Sequence, residues 1–256
     1  MLNTADAKLS QLIFFNRAEL QSLARFTMAI MSESESATVL NLWKKKLGRV
    51  PDSVWVQTQL EALILADNDL TEVSEQLGRL SRLRMLDLGH NQLTQLPDSL
   101  GDITGLKDFL YLHDNRLSSL PSSIERLKKL RYLNLSENTF SNFPESICGM
   151  ESLIELRMTD NQLRTLPPCL AKLSRLRELY LRNNKLATLP DSIGMLSELR
   201  QLDLRGNPLT SLPATIADLP RLEKLDLRWV NSMEFPSMKF PSWIDDLEAR
   251  GCVVYR

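Results

Sequence analysis

Little in this sequence points to chemistry. Two histidines and three cysteines are spread over 256 residues. No CxxC pair and no His/Cys cluster brings them together, so no metal site and no cofactor are expected. Cys148, Cys169 and Cys252 are odd in number, far apart and absent from the N-terminal region, which points to a reducing compartment. Glycines number nine, and no Gly-rich phosphate loop is present. No apolar run approaches the roughly 18 residues that span a bilayer. Leu12-Ile13-Phe14-Phe15 is apolar but short, and it lacks an upstream cationic segment and a small-residue cleavage site. The chain is therefore expected to be soluble and cytoplasmic, or delivered without a cleaved signal, with no membrane partner. The formal net charge is −1. A protein that holds phosphate backbones usually carries a basic excess, so nucleic acid is not expected either.

What is abundant is leucine, and it is periodic. Leu176, Leu179, Leu181, Asn184, Leu186, Leu189 and Pro190 recur 23 residues later as Leu199, Leu202, Leu204, Asn207, Leu209, Leu212 and Pro213. The frame runs back through Leu153, Leu130, Leu83 and Leu60, begins faintly at Ala37 and ends in a degenerate unit from Leu222. Nine units are counted, seven with the Asn and seven with the Pro. The unit LxxLxLxxNxLxxLPxxIxxLxx resembles the leucine-rich-repeat family. It is similar to the 23-residue units of Ras-group scaffolds and of plant intracellular and bacterial effector proteins, over residues 37–249. The resemblance implies an α/β solenoid, a horseshoe with a parallel concave sheet.

The motif positions have physical reasons. The LxLxx stretch alternates and so forms a strand with its leucines on one face. Asn68, Asn91, Asn115, Asn138, Asn161, Asn184 and Asn207 follow the strands. An Asn amide carries donors and an acceptor, so a buried one bonds the backbone of its own unit and of the next. The Leu-Pro step fixes φ and suits entry to a short helical or 3₁₀ turn that carries two more anchors, such as Ile193 and Leu196.

A solenoid needs caps, because its end layers otherwise face water. Residues 1–36 lack the repeat and show helical spacing at Leu9, Leu12, Ile13, Leu20, Leu23, Phe26 and Ile30. They suit a helical N-terminal cap, either two helices divided by Asn16–Glu19 or one. An amphipathic helix that docks a partner or a membrane is the alternative. Ser32–Ser36 is a polar link. In the last unit Phe240-Pro241 fits the Leu-Pro position better than Phe235-Pro236, which implies a five-residue insertion near 232–236. Residues 250–256 then form a capping strand.

Binding is expected on the strand positions that the repeat leaves free, a surface roughly 40 Å long for nine strands about 4.8 Å apart. Units one to five place Trp43, Ile64, Met85, Phe109, Tyr111 and Tyr132 there, with His113 alongside. Units six to nine place Arg157, Tyr180, Arg182, Arg205 and Arg228, interleaved with Glu155, Glu178, Asp203 and Asp226. Aromatics, Met and Arg are enriched at interface centres, against which stands scattered surface apolarity. Cross-strand pairing with Asp203 and Asp226 explains the arginines without a ligand; otherwise they suit an acidic or phosphorylated partner. Unit four carries one residue too many between Leu106 and Leu110, either a bulge that re-aims side chains or a slip in the loop before the strand.

No catalytic constellation appears. His113 has Asp114 beside it but no nucleophile in its column, and it suits a contact residue better than a base. The chain is expected to be a monomeric protein-binding scaffold or adaptor in signalling. Alternatives are the substrate-recognition half of a larger bacterial effector or signalling enzyme, of ubiquitin ligase or kinase type, and a structural repeat without a partner.

Overall fold

A computed structural model describes residues 38–230 and 241–256. The expected helical cap of residues 1–36, the polar link at 32–36, the insertion near 232–236 and the two Phe-Pro candidates' Phe235, Pro236 and Phe240 lie outside the described residues.

Ten three-residue strands form one parallel sheet in sequence order. They are β1 Val39–Asn41, β2 Ala62–Ile64, β3 Met85–Asp87, β4 Phe109–Tyr111, β5 Tyr132–Asn134, β6 Glu155–Arg157, β7 Glu178–Tyr180, β8 Gln201–Asp203, β9 Lys224–Asp226 and β10 Val253–Tyr255. The nine expected repeats supply β1–β9, and the expected capping strand is β10. The central Leu of each of β1–β9 faces the core and pairs with the central residue of the next strand, as Leu133 with Leu156 and Leu225 with Val254. The side chains on either side of it face away, because side chains alternate along a strand. Within the core, Leu110, Leu112, Leu133, Leu135, Leu179 and Leu181 have no exposed surface.

The return path from each of β1–β8 includes a 3₁₀ turn. Pro190, at φ −71° and ψ 148°, leads into the turn Asp191–Met195. Proline contributes the extended φ and forfeits no hydrogen bond, since the first amides of a helical turn lack intrahelical acceptors anyway. Pro97, Pro121, Pro144, Pro167 and Pro213 do the same for their units. Ile193 and Leu196 are buried as expected. Neighbouring turns stack so closely that a Cβ at Gly194 would collide with the Thr215 carbonyl oxygen.

The asparagines tie the units together. The Asn91 Nδ2 donates to the carbonyls of Leu88 (3.0 Å) and Gly89 (3.0 Å) in its own unit and Leu65 (3.1 Å) in the preceding one. Its Oδ1 accepts from the amides of Asn68 (3.1 Å) and Leu70 (3.0 Å). Equivalent bonds recur at Asn115, Asn138, Asn161, Asn184 and Asn207. The residue just before each Asn turns the chain through the left-handed region, as at Asp67, His90, Asp114, Glu137, Asp160, Asn183 and Gly206. Asp, Asn, His and Gly are the residues that tolerate it.

The irregular points resolve as follows. In unit four the strand is unbulged, and Phe109, Leu110 and Tyr111 keep full register with β3 and β5. The extra residue lies in the preceding loop, where the amides of Lys107, Asp108 and Phe109 converge on the Arg84 carbonyl. Asp108 there accepts from the Arg84 guanidinium at 3.0 Å. At the C-terminal end a helix, α1 (Trp243–Ala249), places the expected anchors Ile244 and Leu247 in the core. Cys252 is buried there, which pushes its thiol up to about 11.

One expectation is corrected. The sequence leaves the cysteines unpaired, yet Cys148 and Cys169 stand on successive turns with Cα atoms 5.8 Å apart and are joined by a disulfide. Their separation of 21 residues is about one repeat, so distance along the chain hides contact in space.

Two outcomes are expected. Asn161→Ala, which removes donors to Leu135 and Met158 and an acceptor for the Phe140 amide, should lower stability in urea by about 1–3 kcal/mol per buried group left unsatisfied. Denatured but unreduced protein should alkylate at Cys252 and not at Cys148 or Cys169.

Candidate functional site

The face of the sheet turned away from the core carries the strand positions on either side of each central residue. Register sets three columns. Met85, Phe109, Tyr132, Glu155 and Glu178 are successive cross-strand neighbours. Ile64, Asp87, Tyr111, Asn134, Arg157 and Tyr180 form the second column. His113, Arg182, Arg205 and Arg228 follow their strands in the third.

The aromatic residues meet at the middle of this face. Phe109 stacks on Tyr111, centroids 5.8 Å apart at 12°, and tilts against Tyr132 at 5.5 Å. Tyr111 and Tyr132 are 5.1 Å apart. The Arg157 guanidinium lies 5.8 Å from the Tyr132 ring centre and 4.7 Å from that of Tyr180, a cation held between two π faces. Arg157 also donates to Glu155 at 2.5 Å, and the Tyr180 hydroxyl donates to Glu178 at 2.5 Å. Burial pushes the phenols of Tyr111, Tyr132 and Tyr180 above their ordinary value. Burial works against the Arg157 charge, and the Glu155 carboxylate beside it offsets that cost and keeps the side chain cationic.

The flanks differ from expectation. Ile64 and Met85, each 9% exposed, pack with Ala62 and Ala66 into a small apolar cluster bordered by Val39, Phe109 and Tyr111. Trp43 stands on the first unit, 44% exposed, with the Lys44 ammonium 4.8 Å from its ring centre. The arginines of the later units are paired chiefly within their own strands, not across them as expected. Arg205 grips Asp203 with two bonds of 2.9 and 2.6 Å, and Arg228 grips Asp226 with bonds of 3.0 and 2.8 Å. Across units, Arg205 approaches Asp226 at 3.5 Å. Arg182 reaches back to Asp160 at 2.9 Å. Side chains two apart on one strand point to the same face, so the Asp-x-Arg spelling closes a pair locally. Each of these three cations thus has a carboxylate partner in its own unit or the preceding one.

Two groups escape the sequence reading. Trp229, 67% exposed, and Tyr255 flank Arg228, whose guanidinium lies 5.7 Å and 4.9 Å from their ring centres. Trp229 has φ 60°, a conformation costly for a bulky residue. Its place before the missing Asn of the last unit was the available signal. The other is His90, whose Nδ1 lies 2.6 Å from the Asp114 carboxylate.

Among the described residues no helix is long and apolar enough to cross a membrane. The family model described as leucine rich repeat matches residues 35–93, 58–117, 108–163 and 169–233. No curated protein sequence matches the chain. Among solved structures, the leucine-rich repeat domain of the type III effector XopL is 26% identical with a TM-score of 0.73, over 92% of this chain and 81% of that one. A leucine-rich-repeat protein of Leptospira interrogans is 26% identical with a TM-score of 0.66, over 87% of this chain and 67% of that one. The plant peptide hormone receptor RGFR1, solved in complex with RGF2, is 33% identical with a TM-score of 0.66. That match covers 75% of this chain, which spans only 32% of the receptor chain.

Proposed function

The chain belongs to the leucine-rich-repeat family, and from that premise we propose that it is a protein-recognition module, a monomeric scaffold or adaptor that holds a partner protein on the concave face of its sheet. The observation that carries this is the cluster of Phe109, Tyr111, Tyr132, Arg157 and Tyr180 at mid-sheet. Rigid aromatic rings and an arginine between them are the side chains that dominate interface energetics when truncated. Their neighbours are already arranged: carboxylates hold Arg157 and Tyr180 in place, so little side-chain entropy is left to lose on binding. The peptide complex of the plant receptor agrees with this use of the fold. No nucleophile, base or metal set is invoked, and the reading needs no catalysis.

A second reading is supported by one finding. The likeness to the XopL repeat domain extends over 92% of this chain, which fits the recognition part of a longer effector whose remaining activity lies outside these residues. The compartment turns on the Cys148–Cys169 bond, which persists in an oxidising space and would be reduced in a cytoplasm. The cytoplasmic or host-delivered placement expected from the sequence is therefore tested by the same thiol count.

Affinity purification of the wild type beside Phe109→Ala/Tyr111→Ala/Tyr132→Ala tests the site. A partner lost only by the triple variant, with the fold intact by circular dichroism, is the expected result. Retention of every partner by a folded triple variant refutes the mid-sheet assignment.

A further inference from the structure

The chain has two histidines, and the fold brings them into contact. His90 and His113 lie on successive units, with their Nε2 atoms 3.2 Å apart and ring centroids 4.6 Å apart. The His90 Nδ1 is 2.6 Å from Asp114 Oδ2. With the carboxylate accepting a hydrogen bond from Nδ1–H, the His90 Nε2 keeps its lone pair. Gly89 makes the approach possible, since a Cβ there would lie 2.5 Å from His113 Cε1. His90 and Asp114 are both largely open to solvent, and Tyr111 flanks His113 at 6.0 Å between ring centres.

We propose that His90 and His113 form a two-ligand binding site for a divalent transition-metal ion of the zinc type, with Asp114 as the positioning residue. The spacing suits it. Zinc–nitrogen bonds of about 2.0–2.1 Å in a tetrahedral arrangement set two ligand nitrogens about 3.3 Å apart. The Asp114–His90 bond reproduces the carboxylate–histidine–metal relay that fixes ring orientation and raises ligand basicity. Binding through both Nε2 atoms replaces the 3.2 Å contact between them and puts the His113 proton on Nδ1, a buried atom, which lowers the affinity of the site. Among the described residues no three His, Cys, Asp or Glu side chains converge as a metal set. The remaining coordination positions therefore belong to water or to a side chain of a bound partner. This makes the pair an open site at the edge of the aromatic cluster.

The inference stands apart from the protein-binding reading, because metal alone tests it. Zinc is titrated calorimetrically into the full chain with its disulfide intact. The expected result is one ion per chain, with His90→Asn and His113→Ala each abolishing it. Asp114→Asn is expected to weaken it about tenfold, at the lower end of the loss seen for such supporting carboxylates. Asn is chosen at both left-handed positions, φ 52° and 50°, because it tolerates them. His113→Gln replaces the Ala variant should that one unfold. No zinc bound at one per chain, or equal affinity in the histidine variants, overturns the site. Unchanged affinity in Asp114→Asn overturns the role given to the carboxylate.

Discussion

Each buried Asn amide joins two units, and the rest of the molecule depends on that bond. A three-residue strand cannot hold its own shape, and one repeat cannot bury its own leucines. The amide of Asn91 gathers carbonyls from its own unit and from the one before, while its oxygen holds two amides of the preceding unit. A buried polar group left unpaired is expensive, so a slip of one residue between units is penalised at every amide. Register follows. With register fixed, leucines stack in layers below the sheet, and the free positions line up in columns above it.

Those columns explain how a chain without catalytic residues acquires a site. Tyr132 lies about one repeat from Phe109 and Tyr111 in sequence but beside both of them in the sheet. Arg157 reaches both Tyr132 and Tyr180 because the three stand on consecutive strands. The same stacking spends the later arginines on their own carboxylates, Arg205 on Asp203 and Arg228 on Asp226. The face is thus polarised by packing as well as by composition: a packed aromatic cluster at the centre, with Tyr132 buried and Phe109 and Tyr111 half-buried, and closed ion pairs beyond it.

The fold was legible because every unit repeats its requirements. Leu179, Asn184 and Pro190 each state a constraint that Leu202, Asn207 and Pro213 state again, so one noisy unit does not obscure the frame. The three columns were legible for the same reason. What escaped was pairing. Cys148 and Cys169, and His90 and His113, look remote along the chain, yet each pair is separated by about one repeat. The 23-residue period that located the strands also implied these contacts. The burial of Ile64 and Met85 was not legible, because it depends on how flanking side chains lean, which spacing does not specify. The in-strand Asp–Arg pairs were missed because the cross-strand partner looks equally near on paper.

The central claim is that a partner rests on the mid-sheet aromatic cluster. Site-specific photo-crosslinking tests it most directly. A photoreactive phenylalanine analogue is placed at Tyr111 in one variant and at Met195, exposed on a return turn, in another, and adducts are compared in the native cellular setting. A discrete protein adduct is expected from position 111 and none of that mass from position 195. The same adduct from position 195 alone would contradict it.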